Sequence, residues 1–404
     1  MSFQTGLAGL NVASRNLDVI GHNIANANTV GMKSSRAEFT DIIASSLGAG
    51  GGINAGIGVE VAAVSQHFSQ GNVNLTGNDL DVAVNGSGFF QLGLPDGTTA
   101  YTRDGQFKLD KVGNIVTNSG ANVKGYPTDT AGKATSTTPI SLQLPTSAPI
   151  AAKQTTALTA EFNVNASASV WNSVTPNTPL TSYGTSLTVF DSQGVGIPMS
   201  FYMRKTATDT WDVYTDPTSA ATATTSHIAT LNFDTAGVLT TGSPATINVT
   251  SPNTNIGVFP VTADFSKATQ YGSAFAISNL TQDGYEPGEL TGLKIGTTGV
   301  ITATYSNGQS QGAGQIALVD FRNVQGLSSI GNGSWIETSS SGQPILGSPG
   351  QGKFGVVRSG AVEESNVDLT AELVNMMTAQ RNYQANAQTI KTQDQVMSTL
   401  VNMR

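Results

Sequence analysis

Apolar residues at the C-terminal end of the chain recur at alternating steps of four and three. This spacing is the a/d heptad seam that keeps one side of a helix against a partner, and neither glycine nor proline interrupts it between Ser365 and Arg404. Asp368 and Glu372 near its start and Arg404 at its end carry the charges that the helix dipole favours. The sequence therefore predicts a long helix. Its seam positions are Leu369, Leu373, Met376, Gln380, Tyr383, Ala387, Ile390, Asp394, Met397 and Val401.

The N-terminal end of the chain has the same rhythm. An apolar stripe of this kind is most often one face of an ordinary core helix. Both seams are poor in apolar surface, however, since Gly21, Gln380 and Asp394 occupy seam positions. Such helices bury too little to be stable alone, so we expect the two ends to pair and to become ordered when copies of the chain assemble. The N-terminal seam positions are Phe3, Leu7, Leu10, Ser14, Leu17, Gly21 and Ile24.

Between the two ends, alternating apolar and polar residues predict a mainly β chain. A Thr- and Ser-rich segment, entered through a linker at Pro139–Pro149, predicts an inserted β-domain. Short strands after it are expected to complete the first sheet, and a short helix near residues 35–44 precedes that sheet, followed by a glycine-rich loop. The predicted domains are an N-terminal helix at 1–30, a linker and hairpin region at 31–70, an inner β-domain at 71–146 and 285–358, an inserted outer β-domain at 147–284, and a C-terminal helix at 359–404.

One short phrase occurs three times in the β region: an apolar residue, Asp, two spacers and Gly. The Asp of the phrase is Asp110 in the first case, Asp191 in the second and Asp234 in the third. An Asp side chain that caps its own turn, followed by a Gly with positive φ, explains the phrase as a hairpin turn. A calcium loop would need several oxygen ligands, and each phrase supplies one Asp. We predict hairpins.

Composition mainly excludes classes of function. Only 11% of residues are charged, the net charge is -8 and the sequence pI is about 4.8, which argues against binding to nucleic acid. No basic amphipathic face and no apolar run of bilayer length is present, so membrane insertion is not expected. The absence of cysteine excludes disulfides and thiol chemistry. The first residues do not have the pattern of a cleaved signal peptide.

The candidate catalytic patterns are weak. Gly308–Gly312 reads G-x-S-x-G, but the nucleophile elbow precedes its histidine in the chain, whereas all three histidines come before Ser310. Asn307 and Gly308 instead predict a turn. The histidines are far apart, so no zinc site is expected, and Glu363 with Glu364 reads as a solvated start of the C-terminal helix. We predict no catalytic residue, no cofactor and no metal, and hence no enzyme.

Two long motifs carry a resemblance to a known family. The segment LDVIGHNIANANTVGMKS (17–34) resembles the N-terminal signature of the rod and hook axial proteins of the bacterial flagellum, and ESNVDLTAELVNMMTAQRNYQANAQTIKTQDQ (364–395) resembles their C-terminal signature. The chain length and QDGYEPGEL (282–290) are similar to the hook members. His22 and Met32 depart from the family's usual Asn and Phe. The matching signature residues are Asn23, Ile24, Ala25, Asn26, Ser365, Asn366, Val367, Asp368, Leu369, Gln380 and Arg381.

The resemblance implies an α+β, mainly β fold, in which nested discontinuous β-domains accompany terminal helices that form a coiled-coil layer on assembly. It also implies a structural role as a subunit of a flexible curved tube outside the cell, a universal joint that transmits torque from rod to filament. The implied partners are further copies of the chain, the flagellar rod, the hook cap, the hook–filament junction and hook-length-control proteins, and the flagellar export apparatus, which passes its substrates without a cleaved signal peptide. Polymer contacts would use the two seams.

Alternatives remain at this point. A distal rod protein or a hook–filament junction protein shares the end motifs, although the rod protein lacks the inserted domain. An extracellular β-rich adhesin would explain the Thr- and Ser-rich strands and the acidic pI, but it does not explain the paired terminal helices.

Overall fold

The structure, a computed structural model, consists of two compact units. The main unit comprises Met1–Ser147, Gly292–Thr304 and Ser310–Arg404, and the inserted unit comprises Ala148–Thr291 and Tyr305–Gln309. The β-structure is therefore nested, because the chain leaves the main unit and later returns to it. The structure describes residues 3–43, 56–145, 149–171, 180–215 and 227–402.

The main unit begins and ends with a helix, α1 (Phe3–Ala25) and α2 (Leu369–Asn402). Between them lie short strands on both sides of the insertion. Before it are β1 (Ser35–Ile43), β2 (Gly56–Gln66), β3 (Val73–Leu75), β4 (Val82–Asn85), β5 (Phe89–Gly93), β6 (Thr99–Thr102), β7 (Lys108–Leu109), β8 (Ile115–Val116), β9 (Asn122–Tyr126) and β10 (Ile140–Ser141). After it are β21 (Leu290–Ile295), β22 (Val300–Tyr305), β23 (Ser310–Ile316), β24 (Leu318–Asp320), β25 (Ser328–Gly331), β26 (Ser334–Ile336), β27 (Ile345–Gly347), β28 (Val356–Ser359) and β29 (Ala361–Glu363).

The helix predicted near residues 35–44 is wrong. This segment forms β1, which pairs antiparallel with β2 from Ser35 opposite Gln66 to Ile43 opposite Gly56. Its Phe, Thr and Ile residues favour a strand, and pairing along its length satisfies its backbone hydrogen-bonding groups. Pairing with the next strand of the chain therefore overrides the predicted helix. Of the glycine-rich loop predicted from Leu47 onward, residues 47–55 lie outside the described residues.

Strands that follow the insertion complete the sheet begun before it, as predicted. In a 13-stranded sheet, β23 pairs with β9, β24 with β5, and β26 with β6, all antiparallel. Phe89 and Phe90 are adjacent on β5 and point to opposite faces, as period-2 geometry requires. Phe90 packs in the larger core cluster, whereas Phe89 packs with Trp335 and Phe321 in an aromatic one. The apolar stability of the main unit is concentrated in these two clusters.

The linker predicted at Pro139–Pro149 is wrong in its first half. Leu142 and Leu144 are buried in the core of the main unit. The Leu142 carbonyl accepts a hydrogen bond from the Ile115 amide at 3.1 Å, and its amide donates to the Val123 carbonyl at 3.0 Å. The flanking prolines led to the prediction of a linker. The alternate leucines instead face the core, as they do in an edge strand.

The inserted unit is built from two five-stranded sheets. One has the order β17-β18-β11-β19 with β20 also on β11, and the other is the antiparallel meander β12-β13-β14-β15-β16. Alternate residues of β11 and β13 are buried, and both sheets contribute to one core that contains Phe162, Phe201 and Trp211. The strands are β11 (Ala157–Asn165), β12 (Gly184–Phe190), β13 (Gly196–Ala207), β14 (Thr210–Tyr214), β15 (His227–Phe233), β16 (Leu239–Thr241), β17 (Ala245–Thr250), β18 (Val258–Asp264), β19 (Thr269–Tyr271) and β20 (Ala276–Gln282).

The three Asp-x-x-Gly phrases are hairpin turns, which confirms the prediction. They join β7 to β8, β12 to β13, and β15 to β16. In each turn the Asp carboxylate accepts hydrogen bonds from the amides two and four residues later, such as Val112 and Asn114 for Asp110 at 2.8 Å. The Gly of each phrase has φ between 80° and 91°. The Asp side chains are thus engaged in hydrogen bonds to the backbone of their own turns.

The chain segments that enter and leave the inserted unit run antiparallel. The amide and carbonyl of Lys153 bond those of Tyr285, both at 3.0 Å. Next to them, Asp283 Oδ1 accepts from the Thr156 and Ala157 amides at 2.8 and 2.9 Å, and Oδ2 lies 3.1 Å from Lys153 Nζ. Burial alone raises the pKa of the Asp283 carboxyl, but these hydrogen bonds outweigh it and hold the pKa well below its ordinary value. The ionised carboxylate therefore ties the two segments together.

We expect Asp283→Asn to lower the free energy of unfolding of the inserted unit by about 1–2 kcal/mol at neutral pH, because charged acceptors make the stronger hydrogen bonds. The folded-state pKa is depressed, so this stabilisation is complete above the unfolded pKa of about 3.9 and is lost as the pH falls towards the folded pKa. Urea unfolding at neutral pH and at about pH 3 should show the difference shrinking in acid. Glu289→Gln, which removes an exposed carboxylate nearby, is the control and should change neither value.

Candidate assembly surface

The two terminal helices pack against each other in antiparallel directions. Gly6 of α1 faces Ile390 of α2, and Gly9 faces Asn386. A Cβ added at Gly6 would lie 3.1 Å from Ile390 Cγ1, so only glycine permits this approach without adjustment of the partner. Glycine lets the helix axes come close, but its low helix propensity destabilises α1. The predicted pairing of the chain ends is thus present within one chain.

The face of α1 that is buried in this pair lies one residue before the predicted seam. Gly6, Ala13 and Ile20 are buried at steps of seven, whereas Leu7 is 43% exposed. The seam positions Leu10, Ser14, Leu17, Gly21 and Ile24 are half-buried. Two neighbouring stripes therefore run along this helix, a small-residue stripe that meets α2 and a leucine stripe beside it. The side chain of Phe3 lies outside the described residues.

The predicted seam of α2 is also divided between two faces. Met376, Ala387 and Ile390 are half-buried on the side of α1, where Ala379 is the buried residue. The other seam side chains described are exposed. They are Leu369, Leu373, Gln380, Tyr383, Asp394 and Met397, and Val374, Met377 and Val396 add further exposed apolar surface. The structure describes no side chain for Val401. A long apolar face of α2 therefore has no partner within the described part of the chain.

A groove of about 620 Å³ lies between the two helices and the β1–β2 hairpin. Small or amide side chains line most of it, with Phe39 as the aromatic member. Its lining includes Gly9, Ala13, Ala379 and Asn386, the residues of the helix contact itself. The small residues that let the helices approach thus also leave a concave surface beside them.

Asp368 caps the N-terminus of α2. Its Oδ1 accepts hydrogen bonds from the Thr370 amide at 2.9 Å and the Ala371 amide at 3.1 Å. These are orphan amides of the first helical turn, and an Asp side chain there also complements the helix dipole. Ser365 and Val367 are half-buried just before it. The signature residue Asp368 therefore sets where the C-terminal helix begins.

Asn23 ties both helices to β1. It is 1% exposed, its Oδ1 accepts from the Ser35 amide at 2.9 Å, and its Nδ2 donates to the Ser35 carbonyl at 2.7 Å. The same Nδ2 lies 3.1 Å from Glu372 Oε1 on α2. A buried amide that satisfies three groups fixes one register, since a one-residue shift would leave all of them unpaired.

Asn366 makes a comparable junction from the tail. Its Oδ1 accepts from the Ser34 amide at 2.7 Å, and its Nδ2 donates to the His67 carbonyl at 2.8 Å and to Ser69 Oγ at 2.9 Å. It therefore joins the segment after α1 to the segment after β2. Asn23 and Asn366 are the signature residues that the fold brings to one region.

The remaining signature residues have local or exposed positions. Asn26 Nδ2 donates to the His22 carbonyl at 2.9 Å and contacts His22 Nδ1 at 3.3 Å, so the histidine that departs from the family pattern takes part in the helix end. Ala25, Gln380 and Arg381 are exposed. In the part of the chain that the structure describes, no polar side-chain contact assigns these three a role.

Glu363 corrects the sequence analysis, which read it with Glu364 as a solvated helix start. Glu363 is 0% exposed and forms ion pairs with Lys33 and Arg103, while Glu364 is exposed. The physical reason is that Glu363 ends β29, which pairs with β3 and whose three residues are all buried. Its cationic partners are 330 and 260 residues away in sequence, so no local pattern signals them.

The candidate catalytic pattern of the sequence lies at an ordinary turn and strand. Ser310 of the G-x-S-x-G pattern begins β23, directly after a turn in which the Tyr305 amide bonds the Gln309 carbonyl at 2.9 Å. Within the residues described, no group of three or more His, Asp or Glu side chains is placed to hold a metal ion. None of the helices in the described part of the chain is long and apolar enough to cross a membrane.

Comparison with family models covers most of the chain. Residues 3–33 match a flagella basal body rod protein model, and residues 83–169 match the flagellar hook protein FlgE/F/G D1 domain. Residues 163–285 match the flagellar basal body protein FlaE D2 domain, and residues 358–403 match the FlgEFG rod protein C-terminal model. The two end models contain α1 and α2, and the D2 model falls in the inserted unit.

Full-length relatives decide the family. The chain is 43% identical to the flagellar hook protein FlgE of Salmonella typhimurium over 420 residues, with 100% of both chains covered. The chain belongs to the flagellar hook protein family. The hook protein of Escherichia coli is also 43% identical over 418 residues with 100% of both chains covered, and that of Treponema pallidum is 30% identical over 460 residues. The function of the chain is accordingly that of a structural subunit of the hook.

A solved structure supports the fold. The crystal structure of the Helicobacter pylori flagellar hook protein FlgE2 matches with a TM-score of 0.53 at 16% identity. The match covers 70% of this chain and 99% of that chain. At this identity the likeness concerns the fold alone, and it agrees with a mainly β hook protein fold.

Replacing the cap of α2 should weaken its first turn. We expect Asp368→Ala to cost about 0.5–2 kcal/mol of local stability because two amides lose their acceptor. Hydrogen exchange at the Thr370 and Ala371 amides should accelerate by a corresponding factor. The matched control is Asp394→Ala, at an exposed position in the middle of the same helix. This change leaves the cap in place and should slow exchange of the amides near residue 394 slightly, since alanine has the higher helix propensity. Equal exchange in the two variants would contradict the capping role.

Proposed function

We propose that α1 and α2 form the inner, axis-lining layer of the hook polymer and that the exposed apolar face of α2 packs on neighbouring copies. One observation carries the proposal, namely that glycines of α1 meet α2 at Ile390 and Asn386, while Leu369, Leu373 and Met397 of α2 remain exposed. Leu373 and Met377 are 51% and 53% exposed. Apolar surface arranged in one stripe on a helix normally faces a partner.

The sequence of α2 favours a polymer contact over a solvated face. Besides its apolar stripe, it carries few charges, and amide and hydroxyl side chains fill the flanks. Several threonines of α2 return their hydroxyl bonds to the preceding turn, such as Thr378 to the Val374 carbonyl at 3.0 Å and Thr392 to the Gln388 carbonyl at 2.9 Å. Those side chains are satisfied within the helix. They impose little desolvation cost when a neighbour covers them.

The residues that we assign to polymerisation are the two seams, with the stripe of α2 as the central part. The groove beside the helix pair supplies a second contact surface, which is concave and would accept a side chain of a neighbouring copy. These residues are Phe3, Leu7, Leu10, Leu17, Ile24, Leu369, Leu373, Met376, Tyr383, Ala387, Ile390, Met397 and Val401.

We further propose that the inserted unit forms an outer layer whose contacts shift as the tube bends. The chain has 11% charged residues, so its surface offers few ion pairs that would hold one arrangement. Family membership supports further copies of the chain, the rod, the hook cap, the hook–filament junction and length-control proteins, and the export apparatus as partners. In this proposal the protein does no catalysis.

Replacing one exposed leucine tests the assembly role. We expect Leu373→Gln to raise the critical concentration for polymerisation by about tenfold or more, because burial of a leucine contributes about 1.5–3 kcal/mol. Electron microscopy and sedimentation after salting out would show curved tubes from the unchanged chain and fewer from the variant. Leu346→Gln in β27 is the matched control, since that leucine is 42% exposed but lies on the β-structure.

The controls decide what a loss of tubes means. Far-UV and near-UV circular dichroism of Leu373→Gln should match the unchanged chain, because the side chain makes no core contact in the monomer. Unchanged polymerisation of Leu373→Gln would contradict the proposal. Loss of tubes in both variants would indicate a general solubility effect and would also count against it.

A further inference from the structure

A buried carboxylate lies between two buried cations in the main unit. Glu363 at the end of β29 is 0% exposed, Lys33 is 1% exposed and Arg103 is 5% exposed. Lys33 Nζ lies 2.6 Å from Glu363 Oε1, and Arg103 Nη1 lies 3.0 Å from Oε2. The three residues come from separate segments: the loop after α1, the loop after β6 and the strand that precedes α2. The cluster thus joins the head, the sheet and the tail of the chain.

The remaining hydrogen-bonding capacity of the cluster is largely used. Lys33 Nζ donates to the Ser69 carbonyl at 2.8 Å, and Arg103 Nη2 donates to the Gly86 carbonyl at 2.8 Å. The Gly71 amide donates to Glu363 Oε1 at 2.9 Å. Burial lowers the pKa of Lys33, and the carboxylate of Glu363 opposes that shift. Among the described residues, Arg103 Nε is the buried side-chain nitrogen of this cluster that has no hydrogen-bond partner. A buried ion pair is tolerated when its other groups are paired in this way.

Backbone packing around the cluster leaves no room for adjustment. The Gly31 amide donates to the Glu363 carbonyl at 2.8 Å. Gly31 has φ of 70°, and an added Cβ would lie 2.5 Å from the Asp104 amide nitrogen. A Cβ added at Gly71 would lie 2.0 Å from the Glu364 carbonyl oxygen. The loop after α1 therefore rests directly on the sheet and on the tail.

Apolar packing does little to fix the helices on the sheet. Among the described side chains, the buried apolar ones are Ala13 and Ile20 on α1 and Ala379 on α2. Two covalent connections link the helix pair to the main sheet, the segment after α1 and the segment before α2. The charged cluster crosslinks both of these to Arg103. Glu363 holds both ties, because removing its carboxylate would leave two buried cations uncompensated.

We infer that Lys33, Arg103 and Glu363 form an ionic lock that fixes the direction in which the helix pair leaves the sheet of its own chain. Breaking the lock frees the helix pair and leaves the sheet folded. All of the contacts lie within one chain, so the inference does not depend on the proposed polymer contacts and is tested in the monomer.

The test measures a distance between the helix pair and the sheet. The chain has no cysteine, so Gln388→Cys on α2 and Asn118→Cys in the turn after β8, both exposed, accept spin labels at these two positions alone. Double electron–electron resonance on the doubly labelled monomer should give one narrow distance distribution. Lys33→Met in this background removes the tie to the head but leaves Glu363 paired with Arg103, and it should broaden the distribution about twofold or more.

Two further variants make the result specific. Lys111→Met, which removes an exposed lysine of the sheet, should leave the distribution narrow. Glu363→Asp keeps the charge but shortens the side chain, so it should broaden the distribution as Lys33→Met does. Near-UV circular dichroism, to which the buried Trp335 of the sheet contributes together with Trp171 and Trp211, should remain native in all variants. A native width in Lys33→Met and Glu363→Asp would overturn the inference. Loss of the near-UV signal in Lys33→Met would also overturn it, since the lock and the sheet would then be one cooperative structure.

Discussion

The helix pair at the chain ends buries little apolar surface, and much of the structure follows from that shortage. Gly6 and Gly9 of α1 meet Ile390 and Asn386 of α2, and a contact through glycine brings the helices close without supplying much hydrophobic stabilisation. The larger apolar residues of α2 face outward. A pair of this kind is held by what lies around it: the sheet of its own chain at one end, and copies of the chain along its exposed face.

Polar side chains supply the attachment at the sheet end. Asn23 and Asn366 satisfy backbone groups of segments that are distant in sequence, and Glu363 is enclosed by two cations. Such contacts are strong only when every partner is present, so they specify one arrangement more than they add stability. The apolar stability lies instead in the cores of the two β-units. This division suits a subunit whose helices pair within one chain and gain further packing on assembly.

Sequence reasoning predicted the elements better than their faces. The heptad rhythm predicted both helices because it extends over many turns, and the Asp-x-x-Gly phrases predicted three hairpins because the turn chemistry is entirely local. The contact face of α1 lies one residue from the predicted seam. A stripe rich in leucine is the stronger signal, yet Gly6 and Ala13 make the closer helix contact. The strand at β1 depends on pairing with β2, and the burial of Glu363 depends on cations 330 and 260 residues away, which no local pattern contains. The polymer roles of the seam residues stay predictions.

Hydrogen exchange of the monomer and of the assembled tube tests the central claim most directly. In the monomer, amides of α1 and α2 should exchange quickly, with free energies of opening far below those of the β-sheet amides. In the tube, the helix amides should become protected by orders of magnitude, while those of the sheets remain nearly unchanged. Helices already protected in the monomer as strongly as the sheets, or no gain in protection on assembly, would contradict the account.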